Sequence, residues 1–307
     1  MKRNLLTFIS FLLFINLLQA QTDTTSQELW RKGANFGLNF SQVELENWAG
    51  GGESSISVTG LVGLYANMKR DKSTWDNALD ITYGQARLGD QDFRKTDDQL
   101  ILKSLYNRLL NKRWGFAAGL DFRTQLDEGL SFREVELPGG GTEEVATFIS
   151  EFMSPGYLNT NIGFSYTIPH FKAVISPLAS KLTFVLNDEL AAQGAYGVDS
   201  TENIRSEAGA SLNLIADYDL MENVKFKTYF LAFTDYSDGL EEIDINWEVQ
   251  FIFQVNKYIN TTITTQLIYD EDININREDG TVGPATQFKG VLNIGVVYNI
   301  GDKRKKE

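Results

Sequence analysis

Cysteine is absent from the 307-residue sequence, histidine occurs once and proline five times. Without cysteine there is no disulfide framework, no thiolate metal site and no acylation of a lipoprotein cysteine, so the fold must rest on packing and backbone ladders. Nucleophilic hydrolysis usually needs an imidazole base held against a serine. The single histidine, His170, sits beside Pro169 in what reads as a tight turn. An enzyme is therefore not expected, and a membrane-embedded hydrolase is the weakest reading the chain permits. Cations are scarce too: 28 Lys and Arg face 41 Asp and Glu, for a net charge of −13. Nucleic-acid binding needs clustered basic residues, and the one basic run, Lys303-Arg304-Lys305-Lys306, reads as a solvated tail.

Long apolar runs are missing except at the N-terminus. There Lys2 and Arg3 precede an apolar run from Leu5 to Leu18, and Leu18-Gln19-Ala20 offers a small-residue cleavage site before Gln21. This is the pattern of a secretory signal peptide. Beyond it no stretch approaches the ~20 apolar residues of a membrane-spanning helix. Nor does any Pro/Gly/Ser-rich, glutamine-rich or heptad segment mark a linker, so one domain is expected.

What is present is alternation. Every second residue is apolar through twelve segments, the signature of strands with one apolar and one polar face. They lie near 35–42, 53–69, 74–87, 95–109, 113–126, 155–168, 171–187, 204–218, 224–236, 243–255, 258–270 and 285–299. The connections between them alternate in length. Short joins at 70–73, 110–112, 169–170, 219–223 and 256–257 take turns with mostly longer ones at 43–52, 88–94, 127–154, 188–203, 237–242 and 271–284. Short turns on one rim and long loops on the other match the periplasmic and extracellular ends of an outer-membrane barrel. A soluble two-sheet sandwich would also alternate, but it explains neither this asymmetry nor the aromatic pattern.

That pattern is a pair of girdles, as expected where strands cross the two membrane interfaces. Trp75, Tyr106, Trp114, Tyr166, Phe171, Tyr218, Phe226, Phe253 and Tyr298 all fall beside the short turns. Phe40, Tyr83, Phe122, Phe184, Tyr269 and Phe288 fall toward the loops. The last strand, with Phe288, Leu292, Ile294, Val296 and Tyr298 on one face, resembles the C-terminal targeting strand of outer-membrane proteins, although Gly301–Glu307 follows it. The fold class predicted is all-β: a transmembrane, antiparallel, up-and-down β-barrel of about twelve strands in the outer membrane of a Gram-negative cell. Its parts are a signal peptide over 1–20, a periplasmic segment over 21–34, the barrel over 35–300 and a basic periplasmic tail over 301–307.

Four short motifs carry a resemblance. Asn47-Trp48-Ala49-Gly50-Gly51-Gly52, Phe93-Arg94-Lys95-Thr96-Asp97-Asp98, Phe122-Arg123-Thr124-Gln125 and Ile268-Tyr269-Asp270, in this order, are similar to an uncharacterised family of predicted bacterial outer-membrane barrels. The resemblance extends over nearly the whole mature chain. It implies the barrel fold and the location, and it brings no catalytic or binding residues with it.

The polar face supplies the candidate site. Asp76, Asp80, Asp97, Asp121, Glu207, Asp244 and Glu248, with Lys103, Arg123, Arg205 and Lys289, are expected to line the lumen, joined by Asp217, Lys225 and Lys227. A water-filled lumen tolerates such charges singly, whereas a narrow one requires them to pair. Uncharged Tyr157, Asn159, Asn161, Gln250, Gln254, Thr262, Thr264 and Gln266 complete that face. Two functions follow. One is a passive, porin-like channel or binding pore for small hydrophilic solutes. The other is a non-conducting structural or adhesive barrel whose loops contact partners or lipopolysaccharide. Outer-membrane lipid and lipopolysaccharide are the partners implied, and no cofactor or resident metal is.

The loops add three smaller readings. Residues 270–280 alternate oxygen ligands as calcium prefers, but Ile275 and Thr281 stand where an EF-hand needs glycine and glutamate. Residues 127–154 and 188–203 are long enough to plug the barrel; surface cover for its mouth is the commoner outcome. Trp48, before three glycines, reads as a turn anchor at the outer interface.

Overall fold

The computed structural model describes residues 29–45, 53–138, 140–237, 242–276 and 281–301. The signal peptide, the Trp48 turn and the basic tail from 302 onward lie outside the described residues, as do 277–280 of the acidic loop.

The strands are β1 (Trp30–Val43), β2 (Ser55–Arg70), β3 (Ser73–Leu88), β4 (Arg94–Leu109), β5 (Trp114–Thr124), β6 (Gly129–Glu136), β7 (Thr142–Ser150) and β8 (Gly156–Ile168). They continue with β9 (Phe171–Phe184), β10 (Ile204–Met221), β11 (Val224–Asp235), β12 (Asp244–Gln254), β13 (Ile259–Tyr269), β14 (Asn274–Asn276), β15 (Val282–Pro284) and β16 (Gln287–Gly301). Twelve of them close one barrel in the order β1-β16-β13-β12-β11-β10-β9-β8-β5-β4-β3-β2. Every pairing is antiparallel, and the seam between first and last runs from Gly33 opposite Gly301 to Asn39 opposite Gly295. The predicted twelve-stranded, up-and-down barrel is borne out. Closure has a physical cause: an open edge would leave its backbone N–H and C=O groups unpaired, which hydrocarbon cannot remedy.

Both rims follow from turn chemistry. Asp71 and His170 turn the chain at positive φ, 50° and 65°, in two-residue hairpin connections of the kind that favour such residues. His170 Nδ1 lies 2.9 Å from the Asp217 carbonyl and its ring stacks on Tyr218, so the single histidine is a turn residue. The chain enters and leaves the barrel on this turn rim. The long connections, which form the loop rim, hold the remaining elements. Residues Gly129–Glu136 and Thr142–Ser150, expected to be loop, pair as the β6–β7 hairpin. Residues Asp188–Ala192 form a short helix, α1, followed by a 3-10 turn at Ala195–Gly197.

The outward face is apolar. Phe36, Leu38, Phe40, Leu64, Leu102, Phe116, Ile162, Phe164, Ile175, Ile263, Leu292 and Ile294 stand exposed on it. Its charged residues, among them Arg70, Asp98 and Arg108, sit near one rim or the other. Aromatic pairs bind neighbouring strands at the turn end: Trp114 meets Tyr166 at 5.0 Å and Phe226 meets Phe251 at 5.2 Å between ring centroids. Among the described residues no helix is long and apolar enough to cross a membrane.

One irregularity decides which side chains point inward. In β9, Ser176 pairs with Ser211 and Ala179 with Gly209, so β9 carries one residue more than β10 across this step. The extra residue is Pro177, which has no N–H to give the ladder and is tolerated in a sheet at such a bulge. Gly163 faces the bulge on β8; a Cβ there would lie 2.5 Å from Ser176 Cα. The bulge resets the alternation, so Lys172 and Lys181, an odd number of residues apart, both point inward.

Candidate functional site

The site is the barrel interior, and it is crossed by side chains at successive depths. At the loop rim, Val185, Leu190, Ala191 and Val198 are buried together, with Phe148 and Tyr196 packed against them. The α1 segment is held by Asn187, whose side-chain oxygen accepts from the Glu189 and Leu190 N–H groups, both at 3.0 Å, and whose amide donates to Glu151 at 2.8 Å. The Tyr196 hydroxyl donates to the Ile149 carbonyl at 2.6 Å. Gly197 accepts from Arg205 at 3.2 Å, and a Cβ on it would lie 3.1 Å from that of Asp272. The 188–203 connection thus reaches from the β9–β10 side to the residues after β13, across the mouth. The 127–154 connection differs: its hairpin stands out from the rim, with Leu130–Glu136 exposed. Asn187→Ala is expected to cost this cap about 0.5–2 kcal/mol. Amide exchange should speed up across 187–198 and stay unchanged in the barrel strands.

Beneath the cap lies an ion cluster. Lys181 Nζ is 2.6 Å from Asp244, 2.7 Å from Asp270 and 3.7 Å from Glu207. Arg205 reaches Glu207 at 3.6 Å and Asp272 at 2.7 Å. Lys181 stands on β9 and Asp244 on β12, with β10 and β11 between them, so this bridge cuts across the lumen. Lower, Arg123 of β5 places Nη1 and Nη2 each 2.8 Å from the side-chain amide of Asn246 on β12, whose oxygen accepts from both with the amide turned to face the guanidinium. Gln99 of β4 meets Gln266 of β13 at 3.4 Å, and Lys289 of β16 meets Asp97 of β4 at 2.6 Å. At mid-height Lys103 lies 3.8 Å over the Tyr229 ring, from β4 to β11, and Tyr229 adjoins Asp121. In a ring of twelve strands no two are more than six steps apart, so the five-step pairs β5–β12 and β4–β11 span nearly the full diameter.

Toward the turn rim the interior opens into a chamber of about 410 Å³. Asp76, Asp121, Asp217 and Glu248 face Lys103, Lys172 and Lys227 around it, with Asn67, Asn213, Tyr229 and Gln250. Lys172 pairs with Asp76 at 3.2 Å, and the Asp76 side chain is 46 % exposed, so water reaches this end.

The eleven charged residues named first for the lumen stand on the inward face, but they are not distributed round a pore. Asp97, Arg123, Arg205, Glu207, Asp244 and Lys289 belong to the crossings; Asp76, Lys103, Asp121 and Glu248 border the chamber; Asp80 lies by Gly63 and Asn35 on the wall. Asp270 and Asp272, the leading oxygen ligands of the calcium reading, turn to Lys181 and Arg205. Lys181 and Lys172 are absent from the lumen residues expected from the sequence; unbroken alternation puts the two on opposite faces, and Pro177 in mid-strand was the signal that both point inward. The inward face is also less polar than expected: Ile101, Val174, Leu231 and Phe233 are buried on it.

Residues 40–130 match the family model described as "Protein of unknown function (DUF3078)". The match contains the first three motifs of the resemblance, and the described parts of these motifs do the stapling. Asp97 holds Lys289, Arg123 holds Asn246, and Asp98 accepts from the Leu126 and Asp127 N–H groups at 2.8 and 2.9 Å. Arg94 packs 3.9 Å over Phe132 and pairs with Glu144, fixing the hairpin to the rim. No curated protein matches the chain.

Among solved structures, the chain is similar to an outer membrane channel from Pseudomonas putida F1, at 9 % identity over 92 % of this chain and 99 % of that one, with a TM-score of 0.38. It is similar to the translocator domain of the autotransporter NalP from Neisseria meningitidis, at 8 % identity over 92 % and 90 %, TM-score 0.37. It is also similar to the toluene transporter TodX from P. putida, at 8 % identity over 91 % and 92 %, TM-score 0.30. Similarity at this level assigns no cargo.

Proposed function

We propose that the protein is an outer-membrane barrel of the Gram-negative envelope whose lumen its own side chains hold shut, a non-conducting structural barrel. Its loops, led by the exposed β6–β7 hairpin with Glu134, Glu136, Glu143 and Glu144, meet partners or lipopolysaccharide at the cell surface. The observation that carries the closed state is the Arg123–Asn246 crossing, with Lys181 and its carboxylates above and Lys103 on Tyr229 below. Charges inside a low-dielectric wall pair rather than stand free; Lys181 and Glu207 pair between adjacent strands, whereas Lys181–Asp244, Arg123–Asn246 and Lys103–Tyr229 reach across the lumen. The apolar outward face and the turn-rim aromatics support the membrane location.

The channel reading keeps one observation of its own, the chamber at the turn rim, which fits a binding pore for small hydrophilic solutes. Swelling of proteoliposomes separates the two. Vesicles holding the refolded protein are expected to swell in isotonic sugar no faster than empty ones. Swelling that depends on solute size would replace the structural reading with the pore.

A further inference from the structure

Two buried side chains that line the chamber, Asp121 beside Tyr229 and Asn213, each keep one acceptor atom without a hydrogen-bond partner in the protein. Asp121 and Asn213 are each about 95 % buried, at 5 % exposure, and both line it. Asp121 Oδ2 and Asn213 Oδ1 have no hydrogen-bond partner. Buried acceptors without a donor are unfavourable and uncommon in folded proteins. A ligand that relieves them has to bring N–H or O–H groups. Charge narrows the choice: carboxylates outnumber ammonium groups by one in the lining, and the Lys172 ammonium is already taken by Asp76. The Lys103 ammonium is engaged as well, 3.8 Å over the Tyr229 ring face. A protonated primary amine, with three donors and one positive charge, is the complement of this set. An anion would meet the two acceptors head-on.

We propose that the chamber binds a small aliphatic amine in its ammonium form, admitted from the turn rim. The proposal rests on the closed-lumen reading only in that the crossings make the chamber blind at its inner end. Binding follows from Asp121 and Asn213 themselves.

The test is isothermal titration of the full-length, detergent-refolded protein with putrescine, using succinate and glucose as the anionic and neutral comparisons. Putrescine is expected to bind saturably and more weakly as salt rises, and the other two not at all. Asp121→Asn and Asn213→Leu should each weaken putrescine about tenfold or more, as expected for a lost charge-assisted hydrogen bond. Barrel folding of each variant is checked by its heat-modifiable mobility on gels, and Asn213→Leu alone suffices should Asp121→Asn misfold. Absence of putrescine binding by the folded wild type overturns the proposal, as does undiminished binding by both folded variants. Succinate or glucose binding as tightly as putrescine overturns it too. Vesicle swelling reports on closure separately: swelling with selective putrescine binding removes the closed lumen and keeps the amine site, whereas neither swelling nor binding removes the amine site alone.

Discussion

Lys181→Met is expected to destabilise the folded barrel by about 3–5 kcal/mol, the cost of removing one partner from a buried ionic group. The Lys181 side chain is 8 % exposed, and its three carboxylate neighbours, Glu207, Asp244 and Asp270, are at 4 %, 18 % and 9 %. Methionine matches the volume and removes the charge, so the loss is electrostatic rather than a cavity. Three carboxylates would then share one buried region beside Arg205, which is also paired with Asp272. Asp244→Asn with Asp270→Asn on the Lys181→Met background should recover much of the loss, because the repulsion goes with the charges. Urea titration of folding in lipid vesicles reads both effects. A shift under about 1 kcal/mol, the range of exposed pairs, would show that water already screens this cluster.

Leu292→Arg carries the second large effect and tests the outer face instead. Leu292 is 65 % exposed on β16, opposite Ile263 of β13 and near mid-height of the wall. In a water-soluble barrel, a substitution at so exposed a position falls within about 0.5 kcal/mol of neutral. Facing hydrocarbon near the bilayer midplane, an arginine costs about 2–4 kcal/mol. The same urea titration in vesicles is expected to return the larger figure, and a neutral result would mean that lipid does not contact this face.

The wall was legible in the sequence and the contents of the lumen were not, for one reason. Wall position follows from a local period of two, which Leu292, Ile294, Val296 and Tyr298 display without outside help. Lumen contacts join residues far apart along the chain: Lys289 finds Asp97, Gln99 finds Gln266, and Arg123 finds Asn246. Alternation says that each points inward, and says nothing of the partner met there. Lys181 was lost at an earlier step, since a single unpaired residue at Pro177 shifts the count and turns an apparently outward lysine to the centre of the ion cluster. Strand ends suffered for a milder reason. The first strand begins at Trp30 rather than Asn35 because Arg31 and Lys32 break the apolar rhythm at the wet rim. The β6–β7 hairpin was hidden because both of its faces are exposed, so neither carries a regular apolar stripe.

The 188–203 connection could not be read as a lid from composition alone. Small residues such as Ala191 and Ala192 suit exposed cover and close packing equally. Only the fold, which brings Phe148 and Val185 beside them, makes the packing real.

Current through single molecules of the wild type in a planar lipid bilayer tests the closed lumen most directly. Protein verified as folded and inserted is expected to leave the membrane at its baseline conductance at modest voltage. Reproducible unitary steps would mean that ions pass the Arg123 and Lys181 crossings, and would contradict the account.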